Sequence, residues 1–438
     1  VKVSSSSSLT PIISEEEFLS LLEKECQEFF KILHFLDDPT LTYSKLYYFT
    51  LLQESEKLES FTDDYGARSN LKWLYFAELV ACVRNFSIAG FHLHHVIVRY
   101  SDYLGQERDG IRKDFEAKSQ EVLDYFSQAL IRFRKALRSE ARLHGIKLKE
   151  ASHPVEKWRV NTTPQLPFTI SSDEESDEKE KIIFVAQSYR RLVKSFKGHR
   201  LHTKIKTQKL EEIIPSKINE TIISEFEGHL HTLQSAYDTH LKGSKTEKQN
   251  GWIATMRGLT AIPMHLFEFA RWLVHFYERH ENNVRQSDVK KRISELVDNE
   301  KLRWSIINFA MHFCNRYLSE GNNVAERILS FYVTPVSYRL PLPNPQGFHA
   351  RPATYVTLVI QEHGTDVFLV VGKRKFSCRS VLDLLEAGGL LADRKAKTVV
   401  FEGDRRVLED LKILADHNYC EDQEIPQKLN YLRILRNL

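Results

Sequence analysis

The sequence predicts a chain that is mostly α-helical, with one or two helical bundles, followed by a smaller α+β domain. Three observations carry this reading. From about Ser14 to Phe331 apolar residues recur at helical spacing, while glycine and proline are sparse and sit mostly where helices would stop. Near Thr334 and Pro335 the period changes: Val336 to Leu342 alternates apolar and polar residues, and Val367 to Val371 and Thr398 to Phe401 are short β-branched runs between helical segments. The composition, 42% hydrophobic and 28% charged over 438 residues, is enough to core two or three domains.

Residues 1–13 carry the serine run Ser4 to Ser8 in place of a basic patch and apolar core, so they read as a disordered leader and not as a secretory signal. Residues 14–149 form a first helical block. Ser14 and Glu17 make a capping box, after which Phe18, Leu22, Phe29, Leu33 and Leu36 line one face until Asp37, Asp38 and Pro39 intervene. Ile111 to Leu137 repeats the pattern with Phe115, Val122, Phe126, Ala129 and Phe133, opposite a face bearing Arg112, Lys113, Lys118, Arg132, Arg134 and Lys135. In residues 150–181 the periodicity fails: Pro154, Pro164 and Pro167 are followed by serines and the acidic run Asp173 to Glu180, the mark of a linker or mobile loop. Residues 182–332 resume helical patterns as a second block. Residues 333–420 make the α+β domain, and residues 421–438 a short helical tail expected to pack back.

Several functions are disfavoured. A formal net charge of +3 argues neither for nucleic acid nor for an anionic membrane. The run Arg190 to Lys209 is basic without an acid, but it follows an acidic run and lacks aromatic interleaving, so mutual neutralisation or solvation is expected and no nucleic acid. Cys26, Cys82, Cys314, Cys378 and Cys420 are odd in number and form no Cys-x-x-Cys pair, which fits a reducing cytoplasm better than a disulfide framework or a zinc site. The most apolar helices are broken by charges, such as Glu268 and Arg271 between Leu266 and Tyr277, so no membrane span is expected. Glu78, Asn85 and His92 recur every seven residues on an apolar helix beside His94 and His95, and His265, Glu268 and His275 could face them. Without a duplicated Glu-x-x-His pair, structural hydrogen bonding is expected there, with no metal and no cofactor.

The segment from Asn344 to Ala353 carries the chemistry. A strand ends in a turn at Gly347, and Pro352 suits the first turn of a helix that continues through Tyr355, Val356, Val359 and Ile360. His349 then lies at a helix N-terminus, where free amides and the helix dipole stabilise a phosphate carried on the imidazole. Arg351 adds a charge-assisted contact. A neutral imidazole has a nucleophilic nitrogen, and a phosphate on it remains easily transferred. The alternative reading of His349 is a capping-loop histidine without chemistry.

The run Gly347-Phe348-His349-Ala350-Arg351-Pro352-Ala353 resembles, at every position, the phosphorylation-site signature of HPr, the phosphocarrier of the bacterial phosphoenolpyruvate-dependent phosphotransferase system. The resemblance continues to about Tyr419, roughly a fifth of the chain. It implies an open-faced sandwich of four antiparallel strands and three helices, with phosphate on Nδ1 of His349. The phosphate is received from an enzyme I-like donor and passed to enzyme II-like or regulatory acceptors. It further implies that Phe348, Val381, Leu382 and Leu385 meet partner proteins. Ser380 falls where Gram-positive relatives carry the serine phosphorylated by HPr kinase. Read from the residues alone, Ser380 with Asp383 is also a plain helix cap, and both readings stand. The helical region resembles no family. Its expected role is regulation or docking against the face carrying His349 and Ser380. A second functional class remains open, an interaction protein that uses the HPr-like domain as a docking surface without transfer chemistry.

Overall fold

The computed structural model describes residues 12–37, 44–105, 110–149, 166, 178–199, 212–280, 287–333 and 335–436. The serine leader, nearly all of the linker and the basic residues 200–209 lie outside the described residues. The chain is mostly helical, with one four-stranded antiparallel sheet towards its C-terminal end. The helices are α1 (Glu15–Glu25), α2 (Gln27–His34), α3 (Lys45–Asp64), α4 (Leu74–Leu104), α5 (Gly110–Leu143), α6 (Glu178–Gly198), α7 (Glu220–His240), α8 (Lys245–Gln249), α9 (Gly251–His280), α10 (Ser287–Ser294), α11 (Asn299–Trp304) and α12 (His312–Tyr332). They are followed by β1 (Pro335–Pro341), α13 (Ala350–His363), β2 (Val367–Val371), β3 (Arg374–Ser377), α14 (Val381–Asp393), β4 (Thr398–Asp404), α15 (Arg405–Asp416) and α16 (Tyr431–Arg436).

Contacts divide the chain into two compact units. The first comprises Val1–Pro167, His199–His231 and Ala261–Tyr317. The second comprises Phe168–Gly198, Thr232–Thr260 and Leu318–Leu438. The first unit draws on residues from both sides of the 150–181 segment, whereas the second begins within it.

In the first unit the Ser14–Glu17 capping box forms, and Phe18, Leu22, Phe29, Leu33 and Leu36 are all buried. The stripe is carried by two helices that meet at Cys26. The centre is α4. It is long and apolar enough to cross a membrane by length and composition, and 83% of its most apolar window is buried inside the protein. Phe86 on α4 meets Phe126, Phe133 and Phe276 at ring-centroid distances of 5.0, 5.3 and 5.3 Å. Gly90 lets α3 approach, because a Cβ there would fall 2.2 Å from the Tyr48 ring. On α5 the expected apolar stripe is buried, but Arg112 and Arg134, read as solvent-facing, are buried too. Arg112 reaches inward to the Gly105 carbonyl (3.1 Å) and the Ser101 hydroxyl (3.2 Å) and lies over the Tyr100 ring at 4.7 Å. A guanidinium with several fixed partners tolerates such burial.

In the second unit the strand order is β1-β4-β2-β3, all pairs antiparallel. Inward-facing Leu340, Val367, Leu369, Val399 and Phe401 share one core with Val356, Val359, Ile360, Leu384, Leu408 and Leu411 from α13, α14 and α15. Leu429 and Leu432 of the tail join that core. β3 has no apolar run to announce it; it is a four-residue edge strand paired to β2 through a turn with Gly372 at φ +65°. The α6 helix belongs to this unit, and its Tyr189 hydroxyl donates to the Leu259 carbonyl at 2.9 Å. That carbonyl would otherwise be orphaned by Pro263 four residues on in α9. Gly321 leaves room for the phenol, since a Cβ would fall 2.0 Å from its oxygen.

Candidate functional site

β1 leads into a turn in which the Gly347 amide donates to the Pro343 carbonyl at 2.8 Å, with Gly347 at φ +67°, a conformation that glycine adopts without strain. The chain straightens at His349 (φ −110°, ψ −170°), which becomes the N-cap residue of α13 and accepts the Ala353 amide on its carbonyl at 3.1 Å. The imidazole makes no cap hydrogen bond, so it is available for other chemistry. The first-turn amides of Ala350 and Arg351 have no acceptor within the helix, and Pro352 has no amide to satisfy. His349 is one-third exposed and Arg351 more so, 58%, so both can meet an incoming group.

Phe348, expected on a partner-facing surface, is in the core instead. It is 5% exposed, its ring 5.3 Å from Tyr419 and 6.1 Å from Phe401, where it closes the core beneath the histidine turn. Gly388 on α14 packs against it: a Cβ would fall 2.6 Å from the Phe348 carbonyl oxygen. Paired glycines are a common signal for a helix end, but Gly388 and Gly389 lie inside α14, which runs on to Asp393. Val381 and Leu385 are half-buried against the same core, and Leu382 is 76% exposed. Ser380 caps α14: its hydroxyl accepts the Asp383 amide (3.1 Å) and donates to the Asp383 carboxylate (2.9 Å).

One residue of the site carries no sequence signal. Glu421 Oε2 lies 2.9 Å from His349 Nε2, Oε1 lies 3.6 Å from Arg351, and the Arg351 guanidinium donates to the Glu421 carbonyl at 2.8 Å. Three consecutive non-glycine residues with left-handed backbones, Asn418, Tyr419 and Cys420 (φ +48°, +54°, +55°), bring it there. Such a conformation costs about 1–2 kcal/mol per residue and persists only where the surroundings enforce it. Here the Asn418 side chain both accepts the Asn344 amide (2.8 Å) and donates to the Asn344 carbonyl (2.7 Å), and the buried Tyr419 hydroxyl donates to the Pro341 carbonyl (2.8 Å). The turn that holds Glu421 is thus fastened to the loop that holds His349.

Within the second unit, contacts of α6 with this domain fall at the far end of α13. Gln187 donates to the His363 carbonyl at 2.9 Å, and Arg191 lies 3.9 Å from Glu362. Arg190 is paired with Glu326 at 2.8 Å, and its guanidinium fills the space over Gly364. Two members of the basic segment therefore have acidic partners inside the protein. Acids in the first turn of α6 and bases towards its end also suit the helix dipole.

The polar residues singled out in the helical region take separate partners. Glu78, fully buried, pairs with Arg68 at 2.9 Å and lies 3.7 Å from His280; Asn85 accepts from Arg84 at 3.2 Å. Together with Glu59 and Asp63 they line a cavity of about 330 Å³. His92 and His265 sit 3.1 Å apart between ring nitrogens, His95 bonds Tyr103, His94 lies on the Tyr48 ring, Glu268 pairs with Arg271, and His275 pairs with Glu220. Burial holds His92 at about 3 and His94 and His95 at about 4, so they are neutral near pH 7. Among the described residues no group of three or more His, Cys, Asp or Glu is arranged to hold a metal ion. The five cysteines are free and buried, and burial pushes their thiols up, that of Cys26 to about 12. Such thiols are poor nucleophiles. No protein-family model, curated protein or solved structure matches the chain.

Proposed function

We propose that residues 333–420 are an HPr-like phosphocarrier domain of a phosphotransferase system in the bacterial cytoplasm. In this reading His349 accepts phosphate from an enzyme I-like donor and passes it to enzyme II-like or regulatory acceptors, while the helical region serves regulation or docking. The observation that carries the reading is the complete Gly347 to Ala353 motif with its histidine at the start of α13, side chain accessible and clear of the cap, beside free amides and Arg351. The strand–helix–strand–strand–helix–strand–helix order from β1 to α15 supports it, being the order an HPr-like open-faced sandwich requires.

The test is incubation with phosphoenolpyruvate and enzyme I, followed by mapping of the phosphate. One acid-labile, alkali-stable phosphate per chain on His349, absent in His349→Ala, is the expected result. A second reading, a docking module without transfer, is favoured by one observation: Arg351 is already engaged by Glu421. Absence of labelling by any donor would leave that reading. In either case Ser380 as a substrate of an HPr kinase is a separate proposal, which must displace the contact with Asp383.

A further inference from the structure

Resting on the reading of His349 as the phosphate acceptor, we propose that Glu421 is its positioning residue, holding the proton on Nε2 so that Nδ1 presents its lone pair to phosphorus. Glu421 Oε2 lies 2.9 Å from His349 Nε2 as an ion-pair contact without the alignment of a hydrogen bond, and neither atom has a hydrogen-bond partner among the described residues. A neutral imidazole carries one proton, and the nitrogen facing a carboxylate is the one that keeps it. The two ring nitrogens point in diverging directions, so a carboxylate at Nε2 leaves the approach to Nδ1 clear.

The site also has the construction of a positioned group. Glu421 is 18% exposed and sits at the end of a left-handed turn whose conformational cost is met by the Asn418–Asn344 pair and by buried Tyr419. An unconstrained surface acid would need no such anchorage.

In the transfer step the Nδ1 lone pair forms the N–P bond, while the bond from phosphorus to the donor's leaving group breaks and its electron pair stays with the donor. The Nε2 proton does not move. The ring gains positive charge as the bond forms, and the Glu421 carboxylate stands against that charge where it develops. Return of the phosphate to an acceptor reverses each of these changes. Glu421 does not touch phosphorus and acts only through His349 and Arg351.

The experiment is ¹⁵N-histidine NMR of the full chain together with rates of phosphorylation by enzyme I and by the small-molecule donor phosphoramidate. In the wild type the Nε2–H tautomer of His349 is expected at neutral pH. Glu421→Ala should give a mixed tautomer population and phosphorylate about ten to a hundred times more slowly with both donors, through loss of one close carboxylate–imidazole contact. Glu421→Gln, which keeps an acceptor without the charge, should retain the tautomer and recover part of the rate. An unchanged tautomer and rate in Glu421→Ala would overturn the proposal while leaving His349 as the acceptor. Failure of the wild type to label with either donor would instead overturn the reading of the domain.

Discussion

Lowering the pH should unfold the first unit well before ordinary acid denaturation, because its buried histidines are held neutral. Desolvation is the main cause in each: it holds His94 at about 4 and His280 at about 3, against an ordinary value of 6.5, and Arg68, His275 and Arg279 add repulsion at His280. The folded values are depressed, so these groups contribute stability that is full above the unfolded value. It is lost as the pH falls from about 6.5 towards 4 and 3, where the unfolded chain binds the extra protons. At pH 5 each such histidine removes about 2 kcal/mol. Counting only the two most buried, His94 and His280, the loss is about 4 kcal/mol, a large part of the roughly 5–15 kcal/mol of a typical domain. Urea unfolding followed by tryptophan fluorescence reads this unit, since Trp73 is buried within it. His94→Phe keeps a ring against Tyr48 and removes a buried Nε2 that has no hydrogen-bond partner among the described residues, so it should flatten the pH dependence by one proton. Stability that stays level between pH 7.5 and 5, or a His94→Phe slope equal to that of the wild type, would refute the argument.

Neighbouring glycines of α14 should respond oppositely to alanine. Gly389→Ala meets open space and should stabilise by about 0.5–1 kcal/mol through helix propensity, whereas Gly388→Ala drives a methyl into the Phe348 carbonyl and should cost about 1–3 kcal/mol and slow phosphorylation of His349; thermal melts of both variants decide it. Arg351→Ala should slow transfer about ten- to a hundredfold with the fold intact, and Arg351→Lys should recover only part, because a point charge does not reproduce the guanidinium fork; single-turnover phosphorylation kinetics measure both. Ser380→Ala should cost about 1 kcal/mol while Ser380→Asn retains stability, as expected for a helix cap; equal melting temperatures for the two variants would remove capping as a role of this serine.

The helices were legible because burying an apolar stripe is a periodic demand, and the Ser14–Glu17 box marks its own helix start in the sequence. Three strands were legible for a related reason: Val336 to Leu342 alternates, and Val367 to Val371 and Thr398 to Phe401 are β-branched. β3 is short, charged and at an edge, so only the turn at Gly372 hints at it. The role of Gly388 is not legible in the sequence, because a glycine that stops a helix and one that admits a neighbouring carbonyl look alike without the neighbour. Glu421 was invisible for a deeper reason. It reaches His349 through a left-handed turn of Asn418, Tyr419 and Cys420; the preferences of Tyr419 and Cys420 oppose that conformation, and Asn418 and Tyr419 are held in it by partners remote in sequence.

The placement of contacts also constrains how the helices of the second unit could influence the histidine. Gln187 and Arg191 meet α13 at His363 and Glu362, while His349 precedes the first turn of the same helix, about 20 Å away along its axis. Phosphate on His349 therefore does not compete with α6 for space. Glu421, which contacts the imidazole, and Arg351, which contacts Glu421, lie outside α6. Influence of α6 on transfer through Gln187 and Arg191 acts on α13 as a shift of the whole helix against the sheet. The interior resists a continuous shift of that kind, because Val356, Val359 and Ile360 are packed without exposure against the strands. Local control at the histidine is the cheaper route, and Glu421, in contact with Nε2, is placed to exert it.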